Sequence, residues 1–416
     1  MIAPFLVGVI MKFLHAADLH LDTPFQGLSG LTPALQERLV TAPLRALSRL
    51  VDLAVAEQVD FVLLVGDLFD QQGQSVQAQA ALMTALARLN TASIPVLLSF
   101  GNHDFQADLS RWHFPANVHV FGPQVTTATL TTVAQERVAI SGFSYAQRWV
   151  TTDPVDDYPV KATGVDYQIG TLHGQIGVAG DHYAPFNVSE LLTKHYDYWA
   201  LGHIHQRQTL NSQPPIVYAG NTQGRHRGET GVKGCLIVNS QADQTLQPVF
   251  HALTDIEWAD WTPTLTSPEP MSRSHIVHQL ADQLSLKMVT GLKLVTITLP
   301  ASLQLSAMAE LALNQGAILA QLQEQANEHW WPVAIEQATT DTMTPLFGIN
   351  ATTWQQVGEQ VVTDQAVAEL AGKLLDEDFL NTALLEDMSP TAWQQQVVRL
   401  LNDQYHLTTG VNDDAD

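Results

Sequence analysis

A single cysteine, Cys235, stands among 416 residues, so the chain can close no internal disulfide and build no thiolate metal cluster. Set in the apolar run Cys235-Leu236-Ile237-Val238, it reads as a small buried hydrophobe. Basic residues are scarce as well: 19 Lys and Arg face 42 Asp and Glu, a formal net charge of −23. Such a field repels phosphate backbones and anionic membranes over most of the surface, and taken alone it argues against a nucleic-acid protein. Runs of about 18 apolar residues are missing too, so no membrane-spanning helix is expected. The apolar stretch from Ile2 to Met11 has the character of a signal peptide's core, but the lack of a basic residue ahead of it and of a cleavage spacer before Asp18 opposes that reading. Residues 1–10 read as a start extension before Met11, and a cytoplasmic protein is expected.

What remains is a globular composition, 45% hydrophobic and 15% charged, without low-complexity tracts or internal repeats. At about 100–200 residues per domain the length predicts two domains or three. Up to about residue 255, short apolar runs alternate with helical stretches, the pattern of a layered α/β fold. Strands are predicted over 12–17, 61–65, 96–100, 138–142, 167–172, 198–201, 216–219 and 235–238, with helices over 35–57 and 76–89. Three prolines between residues 261 and 272 mark a linker. The expected organisation is an α/β domain over 11–255, a linker over 256–275 and a C-terminal domain over 276–416. In that last part a strand over 292–299 and helices over 302–327, 361–375 and 392–401 are expected, the final two with apolar faces suited to a small helical core. Before residue 256 there are 14 basic and 21 acidic residues, and after it 5 and 21, so most of the negative charge lies outside the α/β half.

Five segments of that half place Asp, Asn and His directly after strand-like runs, where open α/β sheets build their sites. They are Asp18-Leu19-His20, Gly66-Asp67-Leu68-Phe69-Asp70, Gly101-Asn102-His103-Asp104, Leu172-His173-Gly174 and Gly202-His203-Ile204-His205. Ligands separated by one residue point to the same side of an extended backbone and can converge on a metal. Carboxylate oxygens and imidazole nitrogens without thiolate suit Mn²⁺, Fe, Zn²⁺ or Mg²⁺. Asp67 can span two ions with its two oxygens, and the flanking glycines allow close backbone approach.

This series resembles the calcineurin-like metallophosphoesterases, within them the SbcD-type DNA-repair exonucleases and, more narrowly, the YhaO group. The narrower likeness rests on the opening His15-Ala16-Ala17-Asp18-Leu19-His20-Leu21-Asp22, on Gly180-Asp181-His182-Tyr183-Ala184-Pro185-Phe186, and on Gly220-Asn221-Thr222-Gln223-Gly224-Arg225-His226. The resemblance implies a four-layer αββα sandwich over 11–255 and a smaller C-terminal α/β capping domain. It implies that Asp18, His20 and His205 hold one divalent ion, that Asn102, His173 and His203 hold another, and that Asp67 bridges them, with Mn²⁺ the expected metal. His103 becomes the catalytic histidine, and Asp104 is expected to orient its imidazole. Asp70 stands where eukaryotic and archaeal relatives carry a histidine that positions DNA, so that contact is not implied and Asp70 reads as a turn residue.

Arg225 and Arg227 are candidates to grip a phosphate, and His182 and Tyr183 to face substrate. His113, His195, His251 and His329 read as structural. The implied activity is Mn²⁺-dependent hydrolysis of DNA by a repair nuclease subunit partnered by a structural-maintenance-type ATPase; a homodimer is compatible, a membrane is not. The same ligands would also serve a phosphatase or nucleotide phosphodiesterase, and a non-catalytic scaffold is the third alternative. Two bound cations would reverse the local field, so DNA contact is expected to be narrow and metal-centred or shared with a more basic partner.

Overall fold

The computed structural model describes residues 11–338 apart from 26–27, 71–73 and 111, together with Thr363, Ala366 and Leu370. The expected start extension and the helix over 392–401 lie outside the described residues, as does most of the helix over 361–375. The described residues up to Glu336 form one compact unit.

Along this unit, strand β1 (Lys12–Ala17) leads to helices α1 (Pro33–Val40) and α2 (Ala42–Ala56), then β2 (Phe61–Val65), α3 (Val76–Thr91), β3 (Val96–Ser99) and β4 (Val118–Val120). Next come β5 (Thr126–Thr131), β6 (Arg137–Gly142), β7 (Tyr167–His173), the short α4 (Val188–Thr193), β8 (Tyr198–Gly202), β9 (Gln208–Ser212) and β10 (Pro215–Tyr218). The chain then forms β11 (Gly234–Ser240), β12 (Leu246–Ala252) and β13 (Ile256–Trp261), followed by α5 (Arg273–Lys287), β14 (Leu292–Leu299), α6 (Ala307–Asn314), α7 (Ala317–Gln323) and β15 (Trp330–Gln337).

One six-stranded sheet runs β12-β11-β1-β2-β3-β4 and a second runs β5-β6-β7-β8-β10-β9. Strands β1 to β4 are parallel neighbours, as are β6, β7, β8 and β10, while β11 runs antiparallel to both β1 and β12, and β5 and β9 pair antiparallel at the edges of the second sheet. Alternation places each side chain. Phe13, Ala17, Phe61, Leu63 and Val65 pack between the two sheets with Ile140, Ile169 and Ala200. Leu14, Ala16, Val62 and Leu64 face the other way, onto Leu47, Leu50 and Val51 of α2 and Leu82 and Leu86 of α3. The outer face of the second sheet is covered by Leu191 of α4 and by loop side chains such as Tyr158 and Phe186. The molecule is thus the expected α-β-β-α layering, with a fourth layer made more of loops than of helix. Cys235 is buried as anticipated, and burial pushes its thiol up to about 12.

Two helices break where the apolar spacing predicted continuity. The 35–57 stretch divides at Thr41, because Pro43 in the first turn of α2 has no N–H to continue α1. The 302–327 stretch divides at Gly316, whose φ of 71° ends α6 and starts α7. The expected linker over 256–275 is different again: its first residues are β13, which pairs in parallel with β14. Parallel pairing requires a crossover, and the proline-bearing segment with α5 supplies it. One face of this third sheet, through Trp258, Leu292, Leu294 and Trp331, packs on Leu35, Leu39 and Ala42, and Trp261, Val295 and Ile297 face the core under α5 to α7. Arg38, Arg45 and Arg49 all reach Asp255, at 3.5, 2.6 and 2.7 Å, and fix the start of β13 to the first helices.

His15 on β1 is wholly buried, its Nδ1 3.0 Å from the Tyr198 hydroxyl and its Nε2 3.2 Å from the Leu201 carbonyl oxygen. Burial drives its pKa down to about 3. As pH falls below about 6.5 the unfolded chain takes up a proton that the native state refuses, so native stability falls with acidification. Between pH 7 and pH 5 this residue alone is expected to remove about 2 kcal/mol. Urea melts of wild type and His15→Gln at the two pH values check it: the variant should show a correspondingly smaller loss.

Candidate metal centre

The carboxyl ends of the central parallel strands carry the site. Asp18 and His20 follow β1, Asp67 and Asp70 follow β2, Asn102 and His103 follow β3, His173 closes β7, and His203 and His205 follow β8. All seven ligand candidates from the sequence meet there. Four of them depart from ordinary backbone geometry: Asp18, His20, Asp67 and His203 have φ of 53°, 40°, 48° and 100°. Left-handed conformations cost a side-chain-bearing residue roughly 1–3 kcal/mol each and persist where surrounding contacts over-determine them. Here the N–H of His20 donates to the Asp67 carbonyl at 3.1 Å, that of Asp18 to the Gly66 carbonyl at 3.2 Å, and that of His203 to the Asp18 carboxylate at 3.0 Å.

Three donor groups result, Asp18 with His20 and His205, Asp67 with His173 and His203, and, sharing His20 with the first, His20 with Asp70 and His103; the first two match the ligand sets expected from the sequence. In the first, the Nε2 atoms of His20 and His205 lie 3.1 Å apart, close enough that both would reach one ion. In the second, Asn102 Oδ1 is 2.9 Å from His173 Nε2 and 3.1 Å from His203 Nδ1. Asp67 Oδ2 sits between these two groups, 3.8 Å from His20 Nε2 and 3.3 Å from His173 Nε2. Glycine is required beside it: a Cβ on Gly101 would stand 2.2 Å from Asp67 Oδ1, and one on Gly66 2.2 Å from His173 Nδ1.

The field at the site asks for positive charge. His173 is raised to about 9 because the Asp67 and Asp18 carboxylates outweigh burial. Asp67 is held well below the usual carboxylate range, His173 and His103 prevailing over its burial. Burial lowers His20 to about 3, helped by Arg225, and so keeps its nitrogen lone pair available. Hard oxygen and borderline nitrogen donors, buried and converging, fit a divalent cation.

Glu229 escaped the sequence reading as part of this site, and Asp70 and Arg225, both named there, take other roles than expected. Asp70 is no mere turn residue: its Oδ1 is 3.1 Å from His20 Nδ1. Glu229, on the loop before β11, takes His205 Nδ1 at 2.6 Å. Each carboxylate faces the Nδ1 of one histidine, the arrangement by which an outer carboxylate orients a metal-ligating ring so that its Nε2 points inward; the Arg225 guanidinium approaches the same two Nδ1 atoms at 3.3 Å. Arg225 joins the two, 2.7 Å from Asp70 Oδ1 and 3.3 Å from Glu229 Oε1, so its guanidinium is engaged within the site wall rather than facing a phosphate. Arg227 is exposed and pairs with Glu336 at 3.1 Å. The Arg225 loop is itself braced by the third sheet, through Gln223 Nε2 donating to the Ile256 carbonyl at 2.6 Å and Trp258 Nε1 to that of Gly224 at 3.1 Å.

His103 Nδ1 meets the backbone carbonyl of Asp70 at 2.7 Å, and its N–H donates to Asp67 Oδ1 at 3.0 Å. Asp104 does not touch that imidazole in the way the resemblance implied. Its buried carboxylate instead accepts from the N–H groups of Leu68 and Gly101, each at 2.7 Å, and of Phe69 at 3.3 Å, clamping the Asp67 loop to the Asn102 loop. Burial and the nearby Asp67 raise it to about 7. At the rim, the Tyr183 ring lies 4.7 Å from that of His203, and His182 stacks at 4.9 Å on the half-exposed Trp149.

Residues 11–207 match the family described as Calcineurin-like phosphoesterase. The chain is 37% identical over 268 residues to the "Uncharacterized metallophosphoesterase YhaO" of Bacillus subtilis (strain 168), covering 63% of this chain and 65% of that protein. It is 29% identical over 196 residues to the "DNA double-strand break repair protein Mre11" of Thermoplasma acidophilum, covering 43% and 50%. With one subunit of the nuclease SbcCD of Staphylococcus epidermidis the identity is 24% over 271 residues, covering 58% and 70%. The chain thus spans less than two thirds of the first two relatives. With the motif series, the two facing sheets and the converged donors in agreement, residues 11–207 constitute a calcineurin-like phosphoesterase domain.

Proposed function

We propose that this protein is a two-metal phosphodiesterase that hydrolyses DNA, a repair nuclease of SbcD type using Mn²⁺. Asp18, His20 and His205 would hold one ion, and Asn102, His173 and His203 the other. The observation that carries the reading is the position of Asp67 Oδ2 between the two donor groups. Two such cations supply charge neutralisation at a phosphate and a more acidic water. The protein's own contribution is orientation and proton handling. The Asp70 carbonyl keeps the Nδ1 proton of His103 in place, leaving Nε2 to steady the phosphate or protonate the departing oxygen.

DNA as substrate is supported by the similarity to relatives named as a double-strand-break repair protein and a nuclease subunit. The rings of Trp149, His182 and Tyr183 beside His203 suit base stacking. Residues 276–416 would cap the site or dock a separately encoded structural-maintenance-type ATPase, whose basic surface would offset the acidic chain. The net charge of −23 favours the second reading, a phosphatase or nucleotide phosphodiesterase. A Mn²⁺ titration decides, comparing end-labelled duplex DNA, single-stranded DNA and bis(p-nitrophenyl) phosphate, with Asp67→Ala as control. Degradation of DNA lost in the control is expected; turnover of nucleotide esters alone would replace the first reading by the second.

A further inference from the structure

Most of the described basic side chains are already neutralised. Arg38, Arg45 and Arg49 converge on Asp255, Arg88 pairs with Asp52, Arg225 with Asp70 and Glu229, Arg227 with Glu336, Lys12 with Glu57, Lys161 with Asp197 and Lys293 with Glu257. Arg207 and Lys233 are not, and unlike Lys194, Arg273 and Lys287, which meet a backbone carbonyl, an amide and an indole ring, they share one cavity. Both line a cavity of about 260 Å³ whose wall also includes His205 and Phe250. The guanidinium carbon of Arg207 lies 3.7 Å over the Phe250 ring, and among the described residues no carboxylate pairs with it. Lys233 Nζ donates to the His205 backbone carbonyl, at 3.3 Å, and among the described residues it too has no carboxylate within ion-pair distance. Two such cations, in a chain of net charge −23 and in one cavity with a candidate metal ligand, leave room for an anionic guest.

We infer that this cavity is a second phosphate site, taking the phosphodiester next to the one held at the metal centre. The inference rests on the nuclease reading and extends it to how a polynucleotide is registered. Stacking on Phe250 covers one face of the guanidinium and leaves its N–H edge for a forked contact to phosphate oxygens, while Lys233 adds a point charge. A ligand with a single phosphate has nothing to place there. The cavity therefore discriminates polynucleotides from simple esters, and it does so where the remainder of the acidic surface would repel them.

The test uses the full chain and fluorescence-polarisation binding of a labelled single-stranded oligonucleotide across a KCl series, with Ca²⁺ in place of Mn²⁺ to hold cleavage back. Each lost phosphate contact lowers the slope of log affinity against log salt by about 0.7 for a single strand, which corresponds to about a fivefold loss at 0.1 M salt. Arg207→Ala is expected to show that drop, and Arg207→Lys to restore most of the slope because the charge remains. In Mn²⁺, the loss of kcat/KM on the oligonucleotide should exceed the loss on bis(p-nitrophenyl) phosphate by a similar factor. An unchanged salt slope, with wild type binding and cutting DNA, overturns the second site alone. An equal loss on both substrates also overturns it, because Arg207 would then be acting through His205. Wild type that turns over the bis-ester but neither binds nor cuts DNA removes the nuclease reading and the second site together.

Discussion

Asp67→Ala is expected to lose divalent-metal binding and phosphoester turnover together, whereas His103→Ala should keep its metal and lose turnover by about 10²–10⁴-fold. The two residues are tied to each other, the His103 N–H donating to Asp67 Oδ1 at 3.0 Å, yet they should fail differently. Asp67 Oδ2 faces His20 of one donor group and His173 of the other, so its removal takes a charge from both. His103 meets the site through a ring whose Nδ1 is already fixed by the Asp70 carbonyl, and its deletion removes a proton donor and acceptor. Metal analysis after Mn²⁺ loading and gel filtration, beside bis(p-nitrophenyl) phosphate turnover, separates the cases. Full metal content in Asp67→Ala would end its bridging role, and full turnover in His103→Ala would end the acid-base role. Asp67→Asn adds a control: it keeps an oxygen for the His103 N–H but not the charge.

The layered fold was legible because its evidence is local. Phe61 to Val65 alternates between two cores within five residues, and the observed strand has the predicted bounds. Ligand candidates were legible for the same reason, each closing an apolar run at a strand end. Contacts spanning long stretches of chain were not. Glu229 reaches His205 from 24 residues away, and Arg225 reaches Asp70 across 155; neither pairing leaves a periodic trace. The only signal was a carboxylate four residues beyond Arg225 in a loop after an apolar run. Asp104 shows a different miss, for the resemblance implied the His103 imidazole as its partner. Its carboxylate turns back on the backbone of residues 68, 69 and 101, because several converging N–H groups satisfy a buried carboxylate better than one imidazole. The proline-bearing segment misled in a third way, since prolines that end a strand look alike whether they enter a linker or the crossover between β13 and β14.

Glu229→Gln is expected to weaken divalent-metal affinity by about 10–100-fold while leaving the fold in place. The carboxylate is nearly buried and accepts His205 Nδ1 at 2.6 Å, Asn221 Nδ2 at 2.6 Å and the Arg225 N–H at 2.7 Å. Burial opposes its charge, but Arg225 and His205 hold its pKa well below the usual carboxylate range. A neutral amide of the same shape fills the space and offers only one acceptor oxygen, with an N–H₂ turned toward donors. His205 then loses the anion that fixes its tautomer and makes its Nε2 a stronger donor, at the atom 3.1 Å from His20 Nε2. Asp70→Asn should act alike on His20, since Asp70 holds that ring as Glu229 holds the other. Mn²⁺ titrations followed by calorimetry and by thermal shift read the affinity without any substrate. Excess Mn²⁺ should restore most of the turnover in Glu229→Gln and none in His103→Ala. Unaltered Mn²⁺ affinity in both carboxylate variants would mean that Arg225, Asp70 and Glu229 only brace the wall of the site, and that the two histidines are oriented by packing alone.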